Sequence, residues 1–211
     1  MKKIIYSLLT LLVIHISALA QQDTITSPGL LNGLLLLEEP GAPLLPSKIL
    51  PTQALLWGEK GLMRNFNRFE LTPENRQNEL KLRRNMLGAH QILGFATLAG
   101  MVAQGVVGSK LYEGDYDLLR THGNLATAVN ISYFTTAGLS LFAPPKMLDE
   151  RKGLSSIKVH RALAYIHLSG MIATNILANS IHKNPDLKPV HRAAAFTAFG
   201  AYAASMIVIT F

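Results

Sequence analysis

Charged side chains drop out of four stretches of the chain. No Asp, Glu, Lys or Arg occurs in residues 85–109, 121–145, 162–182 or 193–211, runs of 25, 25, 21 and 19 residues. About 20 apolar residues rising 1.5 Å each cross a hydrocarbon core of roughly 30 Å, so each run is long enough to span one. A soluble helical bundle would need a charged outward stripe on every helix, and these runs lack it. The pattern predicts four transmembrane helices. Connections as short as 110–120 and 183–189 force consecutive helices to alternate in direction, so the expected fold is all-α, a membrane four-helix up-down bundle.

Inside the runs the sequence repeats itself. HRALAYIHLSGMIA, residues 160–173, is echoed seventy residues earlier by HQILGFATLAGMVA, residues 90–103, with six of fourteen positions identical: His90/His160, Leu93/Leu163, Leu98/Leu168, Gly100/Gly170, Met101/Met171 and Ala103/Ala173. Apolar composition accounts for matched Leu, Gly and Ala, but His and Met are rare enough for their coincidence to count. Each copy is followed about thirty residues on by another His that opens another apolar run, His122 and His191. The bundle is therefore expected to be a duplicated helical hairpin.

The flanks carry their own signals. Lys2 and Lys3, the apolar run from Ile4 to Ile14 and Ala18-Leu19-Ala20 before Gln21 read as a secretory signal peptide over residues 1–20. Residues 21–71 follow as an extended, proline-rich arm, because Pro28, Pro40, Pro43, Pro46 and Pro51 forbid a long helix or a central strand. Trp57, Phe66 and Phe69 among Lys60, Arg64 and Arg68 suit a chain resting on lipid headgroups. Residues 72–211 form the bundle and its N-terminal helical extension. Thr72-Pro73-Glu74 is a helix start, with a cap, a proline at the first position and an acid in the first turn. Glu79 and Arg83 are spaced for an i, i+4 ion pair. Ser155 is the next cap, Asn184-Pro185 a stop, and Pro189 a place for the last helix to begin.

Export places the chain in a bacterial inner membrane as a multi-pass protein with its arm in the periplasm and membrane lipid as its surroundings. The first span then runs inward. Lys146, Arg151, Lys152, Lys158 and Arg161 oppose that orientation, since they lie in a loop it leaves outside. The leader commits the N-terminal segment first, so it decides the expectation.

Composition removes several chemistries. The chain is 49% apolar and 16% charged and has no Cys, which excludes disulfides, thiolate metal sites and covalent haem attachment. Its net charge of +7 falls to +5 once Lys2 and Lys3 leave with the leader, and nucleic acid is not an expected partner. No G-x-S-x-G, H-E-x-x-H, phosphate loop or pair of intramembrane carboxylates is present, and the midplane offers a transporter only Gln104, Asn130, Thr135, Thr136 and Asn175.

Histidine is what remains. His90, His122, His160 and His191 each lie in the first turns of a different span, and alternation of the helices puts His90 with His160 at one membrane face and His122 with His191 at the other. Ionisable groups inside a bundle are costly and point to function. Two neutral imidazoles projecting into a four-helix core are the arrangement that holds a haem iron from both sides, which favours electron transfer over oxygen chemistry. Small neighbours (Gly88, Ala89, Gly94; Gly123, Ala126; Ala162, Ala164; Ala193 to Ala195) leave room for a flat macrocycle. His167 has Thr97 as its counterpart, so symmetry sets it apart as a satisfied core histidine or a hydrogen-bond partner near a cofactor. His182 closes the third helix, where a cation complements the dipole.

One His on each of four consecutive helices, paired across two faces, resembles the core of the cytochrome b-561 superfamily over residues 86–211. The resemblance implies a transmembrane cytochrome with two haem b groups, iron held through His90 and His160 in one and His122 and His191 in the other, carrying electrons across the membrane. A quinone or a redox protein would then be the partner. The family usually adds a flanking helix for which this sequence shows no counterpart. An envelope anchor or assembly subunit without a cofactor is the alternative, and homo-oligomerisation stays open.

Overall fold

The computed structural model describes residues 43–147 and 153–210. The expected leader and the first half of the arm lie outside them. Among the described residues the chain is all-helical, with no strand: α1 (Pro51–Trp57), α2 (Pro73–Tyr112), α3 (Leu119–Leu141), α4 (Ser156–Ser180) and α5 (Lys188–Thr210), with short 3-10 turns between them. The described residues divide into two compact units, residues 43–89 with 139–147, and residues 90–138 with 153–210.

Local chemistry explains the helix ends. Thr72 caps α2, its Oγ1 accepting from the Asn75 amide at 3.2 Å, and Glu74 stands in the first turn. The other end closes on Gly114 at φ 109°, with Gly114 N–H donating to Leu111 O and Asp115 N–H to Lys110 O. That pair of bonds is a Schellman cap, whose left-handed residue favours glycine. Ser155 caps α4, and Asn184 caps the 3-10 turn Pro185–Leu187 that leads into α5. The connection from α2 to α3 passes through an equivalent 3-10 turn, Tyr116–Leu118. Lys188 opens α5 with Pro189 in its first turn, and His182 lies two residues past the end of α4.

In the first unit the described part of the arm is not extended. Pro51, expected to block a helix, occupies the first position of α1, where its missing N–H costs nothing. Trp57 donates from Nε1 to Phe142 O at 2.9 Å and stacks edge-on to Phe69 at 5.3 Å. Glu79 does not pair with Arg83. It is fully buried between Arg64 and Arg76, and both guanidiniums go on to backbone carbonyls: Arg64 to those of Trp57, Gly58 and Phe69, Arg76 to those of Leu44 and Pro145. Arg83 instead donates to Pro144 O at 2.7 Å. The i, i+4 spacing loses because the carbonyls of the chain entering and leaving this unit compete for the same arginines.

The second unit has an uncharged core of Met101, Val129, Tyr133, Met171, Ala198, Tyr202 and Met206. Six of the seven are related by the repeat: Met101/Met171 at an offset of seventy, Val129/Ala198 and Tyr133/Tyr202 at sixty-nine. Close approach needs Gly170, where a Cβ would lie 2.9 Å from Ala198 Cβ. The outward surface is apolar on every helix, with Ile92 and Val106, Ile131 and Phe134, Tyr165 and Ile176, and Phe196 and Ile207 all exposed. Among the described residues two stretches, α2 and Pro185–Thr210, are long and apolar enough to cross a membrane. The charge-free pattern predicted four. Uncharged polar residues, such as Asn124, Asn130, Ser132 and Thr136 on α3 and Ser169, Thr174 and Asn175 on α4, lower hydropathy without adding charge.

Candidate functional site

All four repeated histidines belong to the second unit, and they meet in twos. His90 and His160 have ring centroids 6.3 Å apart with planes at 81°, and His122 and His191 lie 6.5 Å apart at 70°. All four rings are half-buried.

Three of them share one bond. His90 Nδ1 meets Thr136 O at 2.8 Å, His160 Nδ1 meets Ser205 O at 3.1 Å, and His191 Nδ1 meets Thr174 O at 3.0 Å. A carbonyl only accepts, so each of these nitrogens carries a proton, and in the neutral ring Nε2 then keeps its lone pair. The accepting residues are hydroxylic, and their own hydroxyls turn back along the helix: Thr136 to Ser132 O, Ser205 to Tyr202 O, Thr174 to Gly170 O. Such back-bonding satisfies a hydroxyl without a partner on another helix.

The spacing is the same on every helix. From His90 to Gln104, His122 to Thr136, His160 to Thr174 and His191 to Ser205 the count is fourteen residues. Fourteen residues fall about 40° short of four turns, so the two positions share a face, and they lie roughly 21 Å apart along the axis. Each helix thus offers an imidazole at one level and the partner of another helix's imidazole at the other. The two histidine pairs are separated by that rise.

His122 departs from the other three. The nearest polar group to its ring is the side chain of Gln104, whose Nε2 lies 3.2 Å from both Nδ1 and Nε2. Gly108 is required beside it, since a Cβ there would stand 3.0 Å from His122 Cε1.

A pair of imidazoles can be tested as axial ligands. A first-row metal binds imidazole nitrogen at about 2.0–2.1 Å, and the ring centroid lies about 1.1 Å behind the nitrogen, so two trans rings have centroids about 6.3 Å apart. Both pairs stand at that separation. Nδ1–H donated to a backbone carbonyl is the usual outer-shell bond of a metal-ligating histidine. Among the described residues no three His, Cys, Asp or Glu converge. Each centre is therefore a pair of imidazoles and no larger ligand cluster among the described residues.

His167 lies apart from both pairs. Its Nδ1 is 2.6 Å from Tyr133 Oη, and its ring packs edge-on to Tyr202 at 5.0 Å. It is a satisfied core histidine. Tyr133, Gln104, Gly108 and the carbonyls of Thr136, Thr174 and Ser205 were not singled out from the sequence for these contacts. Extending the repeat past residue 103 with a one-residue shift would have aligned Tyr133 with Tyr202 and Thr136 with Ser205.

A search of family models, of curated proteins and of solved structures finds no match to this chain.

Proposed function

We propose that the chain is a four-helix up-down bundle of the bacterial inner membrane that holds two haem b groups, one between His90 and His160 and one between His122 and His191, and carries electrons between its faces. The observation that carries this reading is the pairing itself: two imidazole pairs with ring centroids 6.3 and 6.5 Å apart, in which three rings direct Nδ1 to a backbone carbonyl. The apolar outer surface of the second unit supports a lipid environment. Haem, when bound, would supply one-electron chemistry. The chain's own work would be to hold each group between two imidazoles, to fix the rings through their Nδ1 bonds, and to set the two pairs roughly 21 Å apart along the helices.

The test is a reduced-minus-oxidised spectrum of the purified full chain with haem quantified per protein. Two b-type haems are expected. His90→Ala and His160→Ala should each remove the same haem, and His122→Ala and His191→Ala the other, whereas His167→Ala should keep both. A colourless wild type, or four single variants that retain both haems, would leave the reading of an envelope anchor.

A further inference from the structure

Of the residues expected at a lipid surface, Trp57, Arg64 and Phe69 are used inside the first unit: Trp57 is 4% exposed and stacks on Phe69, and Arg64 pairs with Glu79. The fold leaves a different set outside. Leu55 on α1 and Leu62 and Phe66 in the turns after it are 61%, 53% and 57% exposed, with Lys60 and Arg68 exposed among them. One exposed leucine is ordinary, but three large apolar side chains within twelve consecutive residues call for a cover. The bonds of α1 set the height of that cover. Thr52 Oγ1 donates to Leu141 O at 2.7 Å and Trp57 Nε1 to Phe142 O, so α1 lies across the C-terminal end of α3 and satisfies carbonyls that the helix leaves open. Just beyond, Pro144 O accepts from Arg83 and Pro145 O from Arg76. Those bonds hold the end of one charge-free run, at residue 145, beside the start of another, at residue 85. Both runs stop close to the level of α1. The apolar exterior of α3 reaches that level too: Leu141 follows Phe134 by seven residues, about 20° short of two turns, and both are exposed, as is Phe142.

We propose that α1 and the turns after it are an interfacial foot, lying along the bilayer surface with Leu55, Leu62 and Phe66 in the boundary between headgroups and acyl chains. This rests on reading the charge-free runs as membrane spans. A segment lying in the interface plane is held by its buried apolar area and, where its charges are unbalanced, by attraction to anionic lipid. Here Lys60 and Arg68 are offset by the exposed Glu59 and Glu70. The contact is therefore apolar, and its partner is the bilayer surface whatever the headgroup charge. Because α1 is bonded to the end of α3, the foot also sets how deep that helix sits.

The chain has no Cys, so single Cys variants of the full chain can be spin-labelled at one site each. Leu55→Cys, Leu62→Cys and Phe66→Cys are reconstituted in phosphatidylcholine vesicles, with and without phosphatidylglycerol. Each label should collide more often with oxygen, which partitions into lipid, than with a water-soluble nickel chelate. Ile131→Cys, on the exterior of α3, should behave the same way. At Glu74→Cys and Asn78→Cys, exposed on α2 before its charge-free run, the ratio of the two collision rates should invert. Water exposure at any of the three foot positions, with the Ile131→Cys label in lipid, would overturn the foot and spare the spans. Water exposure at Ile131→Cys would remove the spans and the foot with them. A foot label shielded from both reagents would mean that protein, such as a second copy of the chain, covers the patch, and would overturn the proposal. Burial that appears only with phosphatidylglycerol would overturn it as well, since charge would then carry the contact.

Discussion

Glu79 lies fully buried between Arg64 and Arg76 in the first unit, whereas the polar groups buried in the second, Thr97, Thr136, His167 and Ser205, carry no fixed charge. The contrast shows two ways of hiding polarity. Where ions are buried, every one must be paired and its remaining donors satisfied, and the first unit uses one carboxylate and five backbone carbonyls for two guanidiniums. Where neutral groups are buried, one hydrogen bond each is enough, and the second unit supplies it from hydroxyl, ring and backbone partners. A charged cluster concentrates its energy in one residue. A neutral one spreads it.

The largest expected effect therefore falls on the carboxylate. Glu79→Gln would leave two buried guanidiniums without an anion, a change worth about 3–5 kcal/mol. Thermal unfolding of the first unit, followed by Trp57 fluorescence, should shift down strongly. If Glu79→Gln unfolds like wild type, the cluster is not what holds that unit and the contrast fails. Packing comes next. A methyl group at Gly170 would meet Ala198 Cβ at 2.9 Å and its backbone at 3.1 Å, so Gly170→Ala should cost about 1–3 kcal/mol. Gly123→Ala, which meets nothing, should be neutral or gain up to about 1 kcal/mol from helix propensity. Detergent or urea titration of helicity would separate the two.

The same contrast explains what could be read before the structure. The second unit was legible because its information is periodic: charge-free runs mark the helices, and a repeat placed His90 opposite His160 and His122 opposite His191. Periodic signals survive without knowledge of tertiary contacts. The first unit was illegible because its contacts join residues far apart in sequence, Arg76 to Leu44 and Pro145, Trp57 to Phe142, and no spacing announces them. Glu79 and Arg83 stand at pairing distance along a helix, and the pair does not form because Arg64, fifteen residues earlier, reaches the carboxylate instead. Gln104 was hidden for a different reason. Its contact with His122 appears only as a departure from what the other three histidines do.

Tyr133 offers a smaller test, confined to the neutral core. Its hydroxyl is 2.6 Å from His167 Nδ1, and Tyr133→Phe would leave that buried nitrogen with no partner at the same packing volume. The loss should be about 1–3 kcal/mol, and His167→Ala combined with Tyr133→Phe should cost less than the sum of the two, because the second change removes the orphan the first creates. Additive losses in this double-mutant cycle would show that the hydrogen bond contributes nothing beyond packing. Neither variant touches the four paired histidines, so both should leave unchanged whatever haem the proposed centres hold.

The smallest effect is expected where the neutral strategy is most evenly shared. Asn130 and Asn175 bond reciprocally, Nδ2 of Asn130 to Oδ1 of Asn175 at 2.8 Å and the reverse at 3.0 Å, and Asn175 also donates to Met171 O. Two amide bonds between α3 and α4 look substantial. On the proposed membrane reading, however, the separated helices would still satisfy their amides elsewhere, and interhelical hydrogen bonds in membranes average only about 0.6 kcal/mol. Asn130→Leu should therefore lower stability by no more than about 1 kcal/mol, and Asn130→Leu with Asn175→Leu should recover part of it, since no half-pair is left. Steric trapping of the bundle in lipid nanodiscs would resolve such a difference. A loss several times larger for Asn130→Leu alone would mean that this amide pair behaves like Glu79 and its arginines, one contact on which a whole unit depends, and the division between the charged and the neutral unit would have to be redrawn.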